Sequence, residues 1–199
     1  ALDEYGIGSG ASRLVTGTLA IHEELEARLA AKKGYPAALV FGSGYMANVG
    51  IISALTGRDD VIFADKLVHA SIIDACKLSG AKLVRFTHND ASSLEERLRA
   101  TPPSGHRRLI VTESVFSMDG DLAPLTEIAA LAEAHECMLM VDEAHSTGIF
   151  GEKGSGRVQE LGLCDKVNIS MGTLSKAFGG YGGYVACSPE LRQWLIQSA

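Results

Sequence analysis

Two apolar runs and the segment between them decide the fold class: Leu109-Ile110-Val111-Thr112, then residues 124–135, then Met138-Leu139-Met140-Val141. Short, continuously apolar runs are typical of strands that are buried on both faces of a sheet. Residues 124–135 place apolar side chains at helical spacing and predict a helix that connects the two strands. Because a strand–helix–strand order joins its strands in parallel, we expect an α/β fold with a mostly parallel sheet sandwiched by helices.

The same alternation extends over most of the chain and predicts one domain over residues 1–199. The other predicted strands lie at residues 38–41, 61–63, 83–86, 167–170 and 183–187, and the other predicted helices at 18–33, 45–55, 70–78 and 92–99. In such sheets, ligands bind beyond the carboxyl ends of the strands. The residues that follow each strand are therefore the candidates for a functional site.

Composition excludes several classes of function. The net charge is −6 with no block of like charges, which argues against nucleic acid as a partner. The sequence has no apolar run of about 18 residues and no signal-peptide profile, so we expect a cytoplasmic protein without a membrane-spanning helix. The cysteines are far apart and form no C-x-x-C pair, which predicts buried free thiols: Cys76, Cys137, Cys164 and Cys187.

The first strand is followed by Gly42-Ser43-Gly44-Tyr45 at the predicted start of a helix. Free N–H groups at a helix start can hold a phosphate, although a plain tight turn would have the same sequence. The fifth strand is followed by Asp142-Glu143-Ala144-His145. Here the alternatives are a helix cap, a carboxylate that pairs with a cationic ring nitrogen, and a metal site that lacks suitably spaced further ligands.

The segment Gly172-Thr173-Leu174-Ser175-Lys176 follows the next predicted strand. A lone lysine between an apolar run and glycines indicates a partly buried amine, which would be nucleophilic toward carbonyls; the alternative is an exposed loop lysine. Thr173 could place its hydroxyl on a phosphate. His69 could stack on a ring or cap a helix, and Ser117 could donate to a ligand or lie in a simple connection.

Together these residues supply what pyridoxal 5′-phosphate (PLP) requires: an amine, a carboxylate for the ring nitrogen, a phosphate-binding turn and a stacking side chain. The chain resembles the α-oxoamine synthases, a family of fold-type I PLP enzymes with an aspartate aminotransferase-like large domain. The resemblance covers essentially all 199 residues. The segments that carry it are residues 6–10, 22–26, 42–48, 69–71, 116–120, 142–145 and 172–176.

The resemblance implies a role for each of these positions. Lys176 would join PLP as a Schiff base and take the substrate Cα proton, Asp142 would pair with the pyridinium nitrogen, and His69 would stack on the ring. The remaining contacts would be Ser117 and His145 near the phenolic oxygen and the substrate, and Gly44, Tyr45 and Thr173 at the phosphate. No metal is implied.

The implied reaction is a decarboxylative condensation of an amino acid with an acyl thioester, delivered by CoA or a carrier protein. Residues 6–17 look most like members that use L-alanine and a pimeloyl thioester in biotin synthesis. Members that use serine or glycine are the alternatives, and an aminotransferase or a non-catalytic subunit is a more distant one. The resemblance also implies a homodimer, and a longer family chain with an N-terminal segment and a C-terminal small domain.

Overall fold

The computed structural model describes residues 2–103 and 105–199, which form one α/β unit around a seven-stranded sheet. The strands match the predicted runs to within a few residues at each end. Their bounds are β1 Ala37–Phe41, β2 Val61–Asp65, β3 Lys82–Phe86, β4 Arg108–Glu113, β5 Met138–Asp142, β6 Ile169–Thr173 and β7 Gly183–Cys187.

Helices follow β1, β2, β3 and β4, as the alternation predicts, whereas residues 174–182 join β6 to β7 without a helix. Their bounds are α1 Leu2–Tyr5, α2 Ala20–Lys33, α3 Gly44–Leu55, α4 Ala70–Ser79, α5 Ala91–Ala100, α6 Leu125–Ala134, α7 Arg157–Glu160 and α8 Pro189–Ser198. Helix α2 ends at Gly34, which adopts a left-handed conformation with φ of 74°. Glycine takes this conformation without the steric penalty of a side chain, so Gly34 is a favourable helix stop.

The strand order is β1-β7-β6-β5-β4-β2-β3. Strands β2 to β6 pair in parallel, whereas β7 pairs antiparallel with both β6 and β1. The expectation of a mostly parallel sheet is therefore confirmed. The chain moves outward from β2 to β3 and then returns to the other side of β2 for β4. This reversal opens the crevice at which ligands bind in folds of this kind.

Alternate residues of the central strands pack into separate cores on the two faces of the sheet. Phe63, Ile110 and Leu139 point into one core with α5 and α6, while Ile62 and Leu109 point into the other with α3 and α4. All five side chains are fully or almost fully buried. Burial on both faces explains why these strands are continuously apolar in sequence rather than alternating.

The cysteines are all free, and two of them differ from the prediction in burial. Cys76 and Cys187 are buried, but Cys137 and Cys164 are only partly buried. Cys137 lies just outside β5 and Cys164 follows α7, so neither is enclosed by the sheet and its helices. Among the described residues, no helix has both the length and the apolar character needed to cross a bilayer.

A buried ion pair anchors the loop that follows β5. Lys33, the last residue of α2, pairs with Glu143, and both side chains are fully buried. Lys33 Nζ also donates to Thr147 Oγ1 at 3.2 Å and to the Ser155 carbonyl at 2.6 Å. Gly156, with φ of 103°, passes so close that a Cβ atom there would lie 2.6 Å from both Lys33 Nζ and Glu143 Oε1. The pair therefore holds residues 143–156 against the sheet.

Replacement of Lys33 by methionine should destabilise the protein strongly. Removing one partner of a buried pair leaves an uncompensated charge, which costs about 3–5 kcal/mol of unfolding free energy. Urea denaturation would measure the loss, with Lys77→Met as a control because Lys77 is an exposed lysine that pairs with Asp74 on the surface of α4. Equal stabilities of the two variants would show that the buried pair does not anchor the loop.

Candidate active site

A cavity of about 220 Å³ lies beyond the carboxyl ends of β4, β5 and β6, beside the first turns of α3 and α4. It gathers seven of the eight residues predicted for the site: Gly44, Tyr45, His69, Asp142, His145, Thr173 and Lys176. Asp142 and Thr173 are buried on its floor, whereas His69 and Lys176 are exposed on its rim. The cavity thus combines a buried polar floor with an open edge.

Asp142 is the last residue of β5 and is only 4% exposed. Its Oδ1 accepts a hydrogen bond from the Ala144 N–H at 2.9 Å, and its Oδ2 accepts one from Asn48 Nδ2 at 3.0 Å. These two donors fix the carboxylate, and each oxygen keeps a further lone pair for a ligand. Within residues 2–103 and 105–199, no cluster of three or more His, Cys, Asp and Glu side chains could hold a metal.

His69 caps α4, as one of its two alternatives predicts, and it also lines the cavity, while stacking on a ring stays a prediction. Its Nδ1 accepts from the Ser71 N–H at 3.1 Å and lies 2.8 Å from Ser71 Oγ. The main-chain N–H of His69 donates to Glu113 Oε1 at 2.6 Å. Ser71 therefore holds the imidazole ring of His69, and Glu113 holds its main chain.

The first turn of α3 has the features of an anion site. The leading N–H groups of a helix have no acceptor within the helix, and here they belong to Gly44 and Tyr45. Thr173 lies alongside, because a Cβ atom on Gly44 would be 3.6 Å from Thr173 Oγ1. Tyr45 directs its own hydroxyl away to Asp74 at 3.1 Å, so only its main chain is available at this turn.

Lys176 lines the cavity but is exposed. The expectation that this lysine is partly buried is therefore wrong. Strand β6 ends at Thr173, and the following residues form a surface turn closed by a hydrogen bond from Gly179 N–H to the Lys176 carbonyl at 2.9 Å. A turn at the surface cannot enclose the amine. The lysine therefore lies at the rim of the cavity.

His145 follows Asp142 at the cavity wall and is partly buried. Burial lowers the pKa of its imidazole, and the nearby Lys176 amine lowers it further, while Asp142 opposes both effects. A neutral imidazole can act as both a donor and an acceptor toward a ligand.

Ser117 is the predicted site residue that the structure does not bring to the cavity. It is exposed in the loop between β4 and α6, and it is absent from the cavity wall. His88 holds this loop, because its Nε2 lies 2.7 Å from Asp121 Oδ2 while its Nδ1 lies 2.9 Å from Asp65 Oδ1. The contact expected for Ser117 stays a prediction.

Sequence reasoning gave no role to three buried polar residues of the cavity wall: Asn48, Ser71 and Glu113. A signal existed for two of them. Asn48 is a lone amide on the apolar face that α3 forms with Ile51, Ile52 and Leu55, and Glu113 ends a buried strand in register with Asp142. A polar residue within such an apolar segment indicates a role at the carboxyl ends of the strands.

Glu113 is only 4% exposed, and the pKa of its carboxyl is raised. Burial raises the pKa of its carboxyl to about 8, and the Asp142 charge adds to the rise, while the His69 N–H and Lys176 oppose it. The folded protein therefore binds this proton more tightly than the unfolded chain does, in which the pKa is 4.5. The resulting stabilisation is complete below the unfolded pKa and is lost as the pH rises to about 8.

We expect Glu113→Gln to become more stable than the wild type as the pH rises. Glutamine cannot ionise, yet its oxygen can still accept from the His69 N–H. In the ligand-free protein, the stability difference should grow from about pH 5 to about pH 8 and then level off. Urea denaturation at each pH would measure it, with the exposed Glu127→Gln as the control. A difference that is independent of pH would mean that Glu113 keeps an ordinary pKa.

The chain matches the family model "Aminotransferase class I and II" over residues 1–199. It is 55% identical to the 8-amino-7-oxononanoate synthase of Geobacter sulfurreducens and 53% identical to that of Geotalea daltonii, in each case over all of this chain and 51% of the relative. The chain thus spans about half the length of the curated relatives it matches.

Solved structures show the same relationship. A serine palmitoyltransferase from S. paucimobilis, solved with a PLP–myriocin aldimine, superimposes with a TM-score of 0.94 at 40% identity, over all of this chain and 51% of that one. The 8-amino-7-oxononanoate synthase of Francisella tularensis gives a TM-score of 0.83 at 37% identity, over 98% of this chain and 54% of that one. The chain therefore belongs to the aminotransferase class I and II family and, within it, to the α-oxoamine synthases.

Proposed function

We propose that the protein carrying this chain is a PLP-dependent acyltransferase that condenses L-alanine with a pimeloyl thioester to give 8-amino-7-oxononanoate, CO₂ and the free thiol carrier. The observation that carries the proposal is the single cavity that gathers the Asp142 carboxylate, the His69 ring, the Lys176 amine and the first amides of α3. The choice of substrates is supported by relatives at 51–55% identity that are named 8-amino-7-oxononanoate synthase.

The donors and acceptors of the cavity fit PLP. The amides of Gly44 and Tyr45, with Thr173, suit a phosphate, and the buried Asp142 suits a protonated ring nitrogen. Lys176 is the lone lysine among the described residues that line the cavity, so its amine is the partner for an aldehyde. When bound, PLP supplies an electron sink for the negative charge that forms at the substrate Cα. Residues 1–199 would then form the PLP-binding large domain.

The residues of this chain have separate tasks in the proposed reaction. Asp142, fixed by two donors, places its carboxyl group at the floor of the cavity. Lys176, on a surface turn at the rim, can take a proton from the substrate Cα and return one later. His145 lines the same cavity and can hydrogen-bond a substrate oxygen.

A homodimer in the cytoplasm is part of the proposal. Support for a dimer comes from large apolar side chains that are exposed in this chain: Ile7 at 92%, Met118 at 91%, Tyr181 at 84% and Ile149 at 66%. Contiguous exposed apolar surface is typical of faces that another protein covers, and we propose that these side chains lie on such a face. A second copy of the chain is the occupant we propose.

The decisive assay supplies PLP, L-alanine and pimeloyl-CoA to the full-length protein and measures release of CoA and CO₂. The proposal expects both products in equal amounts. Preference for L-serine with palmitoyl-CoA would instead indicate a serine palmitoyltransferase, the second candidate, which the TM-score of 0.94 favours. Pyruvate formed from L-alanine and a keto acid, without release of CoA, would identify an aminotransferase and reject the proposal.

A further inference from the structure

A continuous chain of hydrogen bonds links the Asp142 carboxylate to the His69 ring. Asn48 Nδ2 lies 3.0 Å from Asp142 Oδ2 and also 3.0 Å from Ser71 Oγ. Ser71 Oγ in turn lies 2.8 Å from His69 Nδ1. The two connecting residues come from different helices, α3 and α4, and both are almost fully buried.

The donor and acceptor groups determine the direction of each hydrogen bond between Asp142 and His69. A carboxylate oxygen accepts, so Asn48 must present its NH₂ group to Asp142, and the second hydrogen of that group is directed at Ser71 Oγ. The Ser71 oxygen thus accepts from Asn48 and can give its own hydrogen to His69. The Asn48 amide oxygen is left buried without a hydrogen-bond partner among the described residues. The two hydrogen bonds that Asn48 Nδ2 donates therefore determine the orientation of the Asn48 side chain.

Two donors converge on one nitrogen of His69. The Ser71 hydroxyl and the Ser71 main-chain N–H, 3.1 Å away, both point to Nδ1. A main-chain N–H can only donate, so Nδ1 must be the acceptor, and the neutral ring carries its proton on Nε2. A ring turned over by 180° would lose both donors. The orientation and the tautomer of His69 are thus set by the same contacts.

We infer that Asn48 and Ser71 are positioning residues that tie Asp142 to His69 and hold His69 in the Nε2-protonated form. The inference deepens the proposed function, because it assigns roles to two residues beneath the residues expected to hold PLP. Asn48 fixes the carboxylate at one end, and Ser71 fixes the imidazole at the other. A change at either residue should disturb both ends of the cofactor site.

The test uses the full-length protein loaded with PLP and labelled with ¹⁵N-histidine. The His69 signals are assigned from their absence in His69→Gln, and their shifts report which ring nitrogen carries the proton. Asn48→Leu keeps the approximate size of the side chain but removes both donors, and Ser71→Ala removes the hydroxyl. Ser53→Ala is the matched control, because Ser53 is exposed on α3 and bonds its own helix at the Val49 carbonyl. The dissociation constant of PLP is measured for each protein.

The wild type should show His69 protonated on Nε2 and unprotonated on Nδ1. Asn48→Leu and Ser71→Ala should each lower the fraction of His69 that is protonated on Nε2, because the Ser71 main-chain N–H then acts on Nδ1 without an oriented hydroxyl. Each should also weaken PLP binding by about tenfold, as expected for one lost hydrogen bond, while Ser53→Ala matches the wild type. A wild-type ring protonated on Nδ1, or variants with unchanged tautomer and PLP affinity, would overturn the inference. The wild-type spectrum decides the tautomer even where a variant does not fold.

A failure of the proposed function has a different signature. Wild-type protein that binds no PLP would reject the function, and the ¹⁵N spectrum of that protein would still report the His69 tautomer. If the wild type binds PLP but neither variant changes the His69 tautomer or the affinity for PLP, only the positioning roles are rejected.

Discussion

Lys176→Ala is expected to abolish the visible absorption of the PLP-loaded protein and to lower turnover by about a thousandfold or more. Lys176 is the lone lysine among the described residues that line the cavity, so no neighbouring amine can replace it. Alanine removes both the attachment point for the aldehyde and the group expected to move the Cα proton. Absorption spectra and kcat of the purified full-length variant measure the two losses.

Lys66→Ala is the matched control for this prediction. Lys66 is exposed and follows β2, close to His69 in sequence but outside the cavity wall. It should keep the spectrum and the turnover of the wild type. A Lys176→Ala protein with an unchanged spectrum would reject the assignment of the cofactor lysine.

Asp142→Asn is expected to retain PLP and to lose turnover by at least about a hundredfold. The phosphate contacts at α3 and the amine of Lys176 are untouched, so binding should persist. The fixed negative charge is lost, and asparagine no longer holds a ring nitrogen in its protonated form. Both oxygens of Asp142 accept hydrogen bonds, so the asparagine NH₂ group would also face a donor, either Asn48 or the Ala144 N–H.

The measurement for Asp142→Asn is kcat together with the PLP spectrum of the same sample. Asp59→Asn is the control, because Asp59 is exposed in the turn before β2. Turnover close to that of the wild type would show that Asp142 does not pair with the cofactor ring. Loss of PLP from the variant would mean that Asp142 serves binding more than turnover.

The positions of Asp142 and of the Gly44 turn could be predicted from sequence, because both follow apolar runs that are recognisable as strands. In a parallel sheet the carboxyl ends of all strands lie on the same side, so both residues are expected there, while which of these ends meet depends on the strand order. The order itself was not predicted. The antiparallel pairing of β7 with β1 joins residues 183–187 to residues 37–41, and no local pattern reports a contact so distant along the chain.

The features that sequence reasoning missed depend on contacts between separate elements. Asn48 and Ser71 meet only because α3 and α4 pack together on one face of the sheet. The exposure of Lys176 follows from the turn after β6, whose hydrogen bonds are not encoded by hydrophobic spacing. The raised pKa of Glu113 requires both its burial and its register with Asp142, which a one-dimensional pattern does not give.

We propose that the Lys176 amine holds PLP beside the Asp142 carboxylate. Borohydride reduction of the PLP-loaded full-length protein, followed by proteolysis and mass spectrometry, checks this attachment, because reduction makes the bond between amine and cofactor permanent. We expect one phosphopyridoxyl group, on the peptide that contains Lys176. The same group found on a peptide that contains Lys32, Lys66 or Lys153 in place of Lys176 would contradict it.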